Sequence, residues 1–200
     1  MLNLLKLTRR SKEGSRMTIY IALLRGINVS GQKIIKMEDL KKAFESLRYK
    51  HVTTYVQSGN VVFGSSASNT AVLRKQIEKK LLKAFEFEVP TIVKTLKEIE
   101  ETIMRNPFKK VKEEEGEKLH VTFLAGSPAK AAAENLAAVK NDSDEIRLSG
   151  TEVYILCRNG YGKTLFSNSF IEKRLGVSAT TRNWATVGKL LSLGTAAAEI

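Results

Sequence analysis

Apolar positions along the chain fall into two rounds of the same pattern. Thr18 to Leu24 (TIYIALL) is a continuous apolar run of strand length, as a strand covered on both faces should be. Met37, Leu40, Phe44 and Leu47 then recur at helical spacing, with Glu38 and Asp39 in the first turn where acids suit the helix dipole. Val52 to Gln57 and Asn60 to Phe63 flank Ser58-Gly59, predicting a hairpin. Leu73, Ile77, Leu81 and Phe85 mark a second helix, and EVPTIVK over 88–94 a further strand, with Pro90 pointing to a sheet edge. The order is β-α-β-β-α-β, the ferredoxin-like arrangement.

Thr95 and Glu98 form a capping-box pattern for a helix carrying Leu96, Ile99 and Ile103, which stops before Asn106-Pro107. Beyond the charged run KKVKEEEGEK the order repeats. KLHVTFL over 118–124 alternates as a strand, and Ser127-Pro128 starts an alanine-rich helix through Val139. Asp144 to Leu148 and Glu152 to Cys157 flank a turn, and Leu165 to Leu175 is helical, ended by Gly176. Val177 to Thr180 is too short to define a fourth strand, while Trp184, Val187 and Leu191 place a final helix. IYIALLRG stands opposite LHVTFLAG, and QSGNVV opposite LSGTEV. The expected fold class is α+β: duplicated ferredoxin-like (βαββαβ) units with antiparallel sheets, plus a C-terminal helix. The expected organisation is a disordered basic tail over 1–16, a first subdomain over 17–95, a helix and charged linker over 96–117, and a second subdomain with the last helix over 118–200.

Charge changes the picture more than composition does. The chain carries a net charge of +12, of which the opening segment, with five basic residues against one acid, supplies +4 and leaves +8 on the remainder. Such a balance favours anionic partners: nucleic acid, phosphorylated metabolites or a lipid surface. No apolar run approaches the roughly 20 residues of a membrane-spanning helix, so no membrane partner is expected. The opening segment also makes a poor secretory signal. A lone cysteine, Cys157, excludes an internal disulfide and fits a reducing compartment, so a cytoplasmic location is expected.

GYGKT over 160–164 ends like a phosphate-binding P-loop, but Cys157 stands where the leading glycine belongs. The preceding strand also belongs to a hairpin, and no later strand ends in a magnesium-holding aspartate. Anion binding at the N-terminus of the following helix, with Lys163 as a point charge, is the better expectation. His51 and His120 are the only histidines, so no metal and no cofactor are expected. A base-stacking platform like that of RNA-recognition modules needs paired aromatics, and the third strand lacks them beside Tyr20.

The placement of acids is more informative. No Asp or Glu falls in 14–37, 46–77, 153–171 or 173–198, and four polar loops lie inside these windows. They are RGINVSGQK, QSGN, NGYGKT and TTRNW, which offer Arg25, Asn28, Gln57, Ser58, Asn60, Lys163, Thr181, Arg182 and Asn183. Paired carboxylates for acid–base work are missing there, and the set suits anion recognition. Tyr161 adds a phenol to the third loop.

LLRGINVSGQKIIKM, TYVQSGNVVF, GYGKTLFSNSFIEKRLGV and ATTRNWATVGKL together resemble the uncharacterised bacterial family known as domain of unknown function 1697, from about Met17 to Leu193. The resemblance implies a two-part α+β protein of ferredoxin-like halves, and supplies no catalytic residue. Its matching positions include Tyr161 and Asn168 besides the loop residues above other than Lys163, whereas Ser30 and Thr164 depart from its usual glycine and serine. The expected function is a binding protein whose halves gather these side chains around one basic cleft, with nucleic acid the first-choice ligand. The alternative is an enzyme acting on a small phosphorylated or carboxylated substrate. Oligomeric state is left open by the sequence.

Overall fold

The computed structural model describes residues 17–109 and 118–200; the expected tail and most of the charged run lie outside the described residues. The first unit comprises β1 (Thr18–Leu24), α1 (Met37–Glu45), β2 (Lys50–Tyr55), β3 (Asn60–Ser65), α2 (Thr70–Phe85) and β4 (Thr91–Thr95), followed by α3 (Leu96–Met104). The second comprises β5 (Lys118–Leu124), α4 (Lys130–Ala137), β6 (Asp144–Ser149), β7 (Glu152–Cys157), α5 (Asn168–Leu175) and β8 (Ala179–Asn183), followed by α6 (Trp184–Ala198). Each forms a four-stranded antiparallel sheet, ordered β2-β3-β1-β4 and β6-β7-β5-β8. The duplication therefore extends one helix beyond each ferredoxin-like unit.

Central strands β1 and β5 are buried at every position after the first, which explains their unbroken apolar runs. On one face Tyr20, Ala22 and Leu24 pack against Leu40, Phe44, Leu73 and Ile77 of α1 and α2. On the other, Ile19, Ile21 and Leu23 join Leu119, Val121 and Phe123 of β5, with Ile99 of α3 and Val187 and Leu190 of α6, in one core shared by both halves. A separate core lies between the second sheet and α4 and α5, around Leu136, Ile155, Phe166 and Ile171. The capping box starting α3 is present: Thr95 Oγ1 accepts from Glu98 N, and Glu98 Oε2 accepts from Thr95 N.

Three sequence expectations are corrected. TTRN is strand rather than loop: β8 runs Ala179–Asn183 along the edge beside β5. Its polarity hid it, because Thr180 and Arg182 are buried with their polar atoms bonded inside the protein. Helix α5 begins at Asn168 under a Ser167 cap, after a 3₁₀ turn over Tyr161–Lys163, so Lys163 is exposed and away from the helix N-terminus. Helix α4 begins at Lys130 with no side-chain cap.

Register shows how closely the halves correspond. Leu24 N donates to Gly59 O, and Leu124 N to Thr151 O. Ile21 stands opposite Lys94 and Leu23 opposite Asn60; Val121 stands opposite Arg182 and Phe123 opposite Glu152. Lys94 and Arg182 are thus counterparts, as are Asn60 and Glu152. Each buried cation reaches into the other half: Lys94 Nζ donates to Glu152 Oε1 and Thr151 Oγ1, both at 2.8 Å, and Arg182 Nε donates to Asn60 Oδ1 at 2.5 Å. A buried ion pair costs most when only one partner is removed. Lys94→Met is expected to lose about 3–5 kcal/mol in urea unfolding, and Lys94→Met/Glu152→Gln distinctly less, because no lone charge remains buried. Losses that simply add would show that the two side chains do not act as a pair.

Candidate functional site

Beside the Arg182 contact the two halves leave a cleft of roughly 720 Å3, into which Arg25, Ser58, Tyr161, Asn168, Thr181 and Arg182 converge. Arg25 enters from the end of β1, Ser58 from the β2–β3 turn, Tyr161 from the 3₁₀ turn, Asn168 from the first turn of α5, and Thr181 and Arg182 from β8. Six of the eleven sequence-proposed residues meet here, contributed by both halves.

Arg182 forms the floor and is committed to the structure. Its Nη1 donates to Thr180 Oγ1 and Thr181 O, both at 2.8 Å, and its Nη2 to Leu24 O at 2.6 Å, Ser58 O at 3.1 Å and Gly59 O at 3.3 Å. With Nε on Asn60, all five N–H groups have acceptors. Every acceptor is uncharged. Burial pulls the guanidinium down to about 10, still well above neutral pH, so it remains a cation. Arg182 offers a ligand a fixed positive charge but no spare hydrogen bond.

Arg25 is held differently. Its guanidinium pairs with Glu172 of α5, across the seam, and Glu172 Oε1 also accepts from Ala179 N at 2.8 Å, fixing the carboxylate against β8. The pair engages Nη1 of Arg25, whose side chain is 29% exposed and lines the cleft, leaving its other N–H groups uncommitted within the described residues. Deeper in, Tyr161 OH donates to Thr181 Oγ1 at 3.0 Å, and Thr181 Oγ1 donates to Asn168 Oδ1 at 2.7 Å while lying 2.7 Å from Thr122 Oγ1. The Tyr161 ring stacks on His120 with centroids 4.7 Å apart. Burial, only partly offset by the Thr181 hydrogen bond, raises the Tyr161 phenol, so it stays protonated and acts as a donor rather than a base. Asn168 Oδ1 is thereby occupied, which leaves Nδ2 as the remaining donor of an amide that lines the cleft.

The other five candidates stand elsewhere. Asn28, at φ 54°, closes its own loop: Oδ1 accepts from Ile35 N at 2.8 Å and Nδ2 donates to Ile35 O at 3.0 Å and Gln57 O at 2.9 Å. Gln57 and Lys163 are exposed and outside the cleft lining. Asn60 is wholly buried beneath Arg182, and Asn183 caps α6 by accepting from Thr186 N at 2.7 Å. Gly59, between Ser58 and Asn60, has φ 77°, and a Cβ there would meet Ile27 Cδ1 at 2.6 Å; only glycine fits beside the cation. Sequence reasoning missed Glu172. The signal was present, since it is the single acid between 153 and 198, but nothing in the sequence says that it faces Arg25.

Fold and cleft define a class: a duplicated α+β protein whose ferredoxin-like halves enclose a polar cleft at their seam. The chain belongs to the family described as protein of unknown function DUF1697, whose model matches residues 17–154, a shorter span than the sequence blocks cover. A conserved bacterial protein from Streptococcus pneumoniae has a similar fold, with 21% identity and a TM-score of 0.71 over 88% of this chain and 98% of that one. An unknown protein from Galdieria sulphuraria aligns over 84% and 98% at 9% identity, with a TM-score of only 0.25. No curated protein matches the chain. Among the described residues no helix is long and apolar enough to cross a membrane, and no group of side chains has the makings of a metal site.

Two outcomes test this description. Arg182→Ala leaves Ser58 O and Asn60 Oδ1 without a donor and takes one donor each from Leu24 O and Gly59 O, and is expected to cost at least about 3 kcal/mol. Arg182→Lys should recover only part of that in chemical denaturation, since an ammonium cannot span the same acceptors. Cys157 is fully buried, and its thiol is pushed up to about 11, mainly by burial with a further push from Asp144. At pH 8 only roughly a thousandth would be thiolate, so iodoacetamide should leave the native protein unlabelled and modify it in urea. Rapid native labelling would contradict the burial.

Proposed function

We propose that the seam cleft binds a small molecule through a carboxylate or phosphate group. The observation that carries this reading is the convergence of Arg25, Tyr161 and Asn168 over the buried Arg182 charge, which no carboxylate touches among the described residues. A preorganised cation in a poorly hydrated floor attracts an anion without being reordered by it. Arg25 then supplies directional hydrogen bonds, Asn168 Nδ2 adds a neutral donor, Tyr161, its proton on Thr181, forms part of the wall, and Ser58 completes the rim. The volume suits a metabolite-sized ligand.

Nucleic acid, the first choice from sequence, is less well supported by this geometry. A polyanion needs a track of uncommitted cations, whereas Arg25 shares its charge with Glu172 and Arg182 has no donor left. The enzyme alternative draws on the Tyr161–Thr181–Asn168 chain of hydrogen bonds, but a phenol held protonated, with its proton on Thr181, is poorly suited to abstracting a proton.

Calorimetric titration against a panel of phosphorylated and carboxylated metabolites should find a ligand. Arg25→Gln should weaken it at least tenfold, or about 1.4 kcal/mol, in a protein whose melting is little changed. A ligand indifferent to Arg25→Gln would remove the site. Tight single-stranded RNA or DNA binding with a steep salt dependence would overturn the small-molecule reading in favour of nucleic acid.

A further inference from the structure

The duplication creates a second cleft, and its chemistry differs from the first. It lies between the same elements with the halves exchanged, lined by Leu124, Ala125 and Gly126 after β5, Thr151 of the β6–β7 turn, Lys94 of β4 and the first turns of α2. Those are the counterparts of Leu24, Arg25, Gly26, Gly59, Arg182 and the start of α5. The parallel reaches the helix. Glu78 Oε1 accepts from Thr91 N at 3.0 Å at the head of β4, just as Glu172 accepts from Ala179 N at the head of β8. One helical turn before these glutamates stand Arg74 and Asn168 respectively.

The guanidinium has therefore changed places. In the first cleft it sits on the loop as Arg25, held by Glu172, with an amide on the helix. In the second the loop position is Ala125 and the guanidinium is Arg74, on the helix. Glu78 stays on the Thr91 amide and makes no ion pair with Arg74, and Lys94 is neutralised by Glu152 at 2.8 Å and Glu98 at 3.6 Å. Among the described residues Arg74 forms neither a hydrogen bond nor an ion pair, and its Nε is a buried donor with no partner. Native proteins rarely leave a buried donor unmet, and such a group asks for an explanation. Lys94, by contrast, is spent.

We propose that Arg74 is the anchor of a second anion site, separate from the first cleft although Arg25 and Arg74 share a small pocket of about 60 Å3, which takes a small molecule through one phosphate or carboxylate group. The cleft is compact, about 270 Å3, and Glu98 stands on its lining, so it suits a single acidic group at the Arg74 end rather than a polyanion. Thr70 and Ala71, in the first turn of the long helix α2, line the same space and set the positive end of its dipole toward it. The Nη groups of Arg74, which make no hydrogen bond among the described residues, are the donors an anion in the cleft would meet, while Nε lies beneath the surface and reports on the guanidinium.

Two-dimensional NMR of the arginine Nε–Hε groups tests this directly on the full chain, with the Arg74 resonance assigned by its disappearance in Arg74→Gln. Inorganic phosphate, and separately acetate, are titrated through the millimolar range. The expected result is a saturable shift of the Arg74 signal with at least one of the two, together with at least a tenfold loss of calorimetric affinity for that anion in Arg74→Gln. Lys163→Gln, which removes one exposed positive charge outside both clefts, should keep the affinity. No saturable Arg74 shift with either anion, or an affinity unchanged in Arg74→Gln, overturns the proposal. Asn168→Ala perturbs the first cleft without touching the surroundings of Arg74, so failure there and failure here appear in different variants.

Discussion

A fully buried guanidinium that must find an acceptor for every N–H group holds this protein together at its seam. Arg182 lies on the edge strand of the second sheet, yet four of its six acceptors, Asn60 Oδ1 and the carbonyls of Leu24, Ser58 and Gly59, belong to the first half. Removing such a charge from water is costly, and only a correctly assembled seam returns the lost hydrogen bonds. Much follows from that demand. The β2–β3 turn must bring two backbone carbonyls to one point, which requires the left-handed backbone at Gly59, and Asn60 must be buried to present its amide oxygen. Relative placement of the halves, and hence the shape of the cleft, is tied to satisfying one side chain.

Much of the fold could be seen in the chain because its signals are local. TIYIALL and KLHVTFL are apolar throughout because β1 and β5 sit mid-sheet between two cores, and the Thr95–Glu98 box acts within a single helical turn. Strand β8 was hidden for the opposite reason. ATTRN has the composition of a loop, and what makes it a strand is pairing with β5 and hydrogen bonds to residues far away in sequence. A local pattern cannot distinguish polar atoms that meet water from polar atoms that meet buried partners.

The same blindness shaped the reading of the site. Donor-rich, acid-free loops drew attention to Arg25, Ser58, Tyr161, Thr181 and Arg182, and the family resemblance to Asn168, all of which line one cleft, but an inventory of donors does not record which are already spent. Asn28 and Asn183 serve backbone groups within their own loop and helix end, and Asn60 serves Arg182. Absence of carboxylates along the sequence also differs from absence in space. Glu172 is separated from Arg25 by most of the chain and still becomes its partner.

Duplication explains why the chain carries two solutions to one problem. At the equivalent point of each half a buried cation crosses the seam, but Lys94 meets a carboxylate, Glu152, whereas Arg182 meets only an amide and carbonyls. An ammonium is a compact charge that one carboxylate can neutralise, while a guanidinium spreads its charge over a fork that several neutral oxygens can satisfy. The electrostatic consequences are opposite. Behind the first cleft a positive charge persists without a negative partner even though Arg25 is bound to Glu172. Behind the second the charge is cancelled in place, and any attraction there must come from a cation that the seam does not use. Arg74 is such a cation: among the described residues it makes no ion pair, and the carboxylate one turn along its own helix serves the Thr91 amide alone.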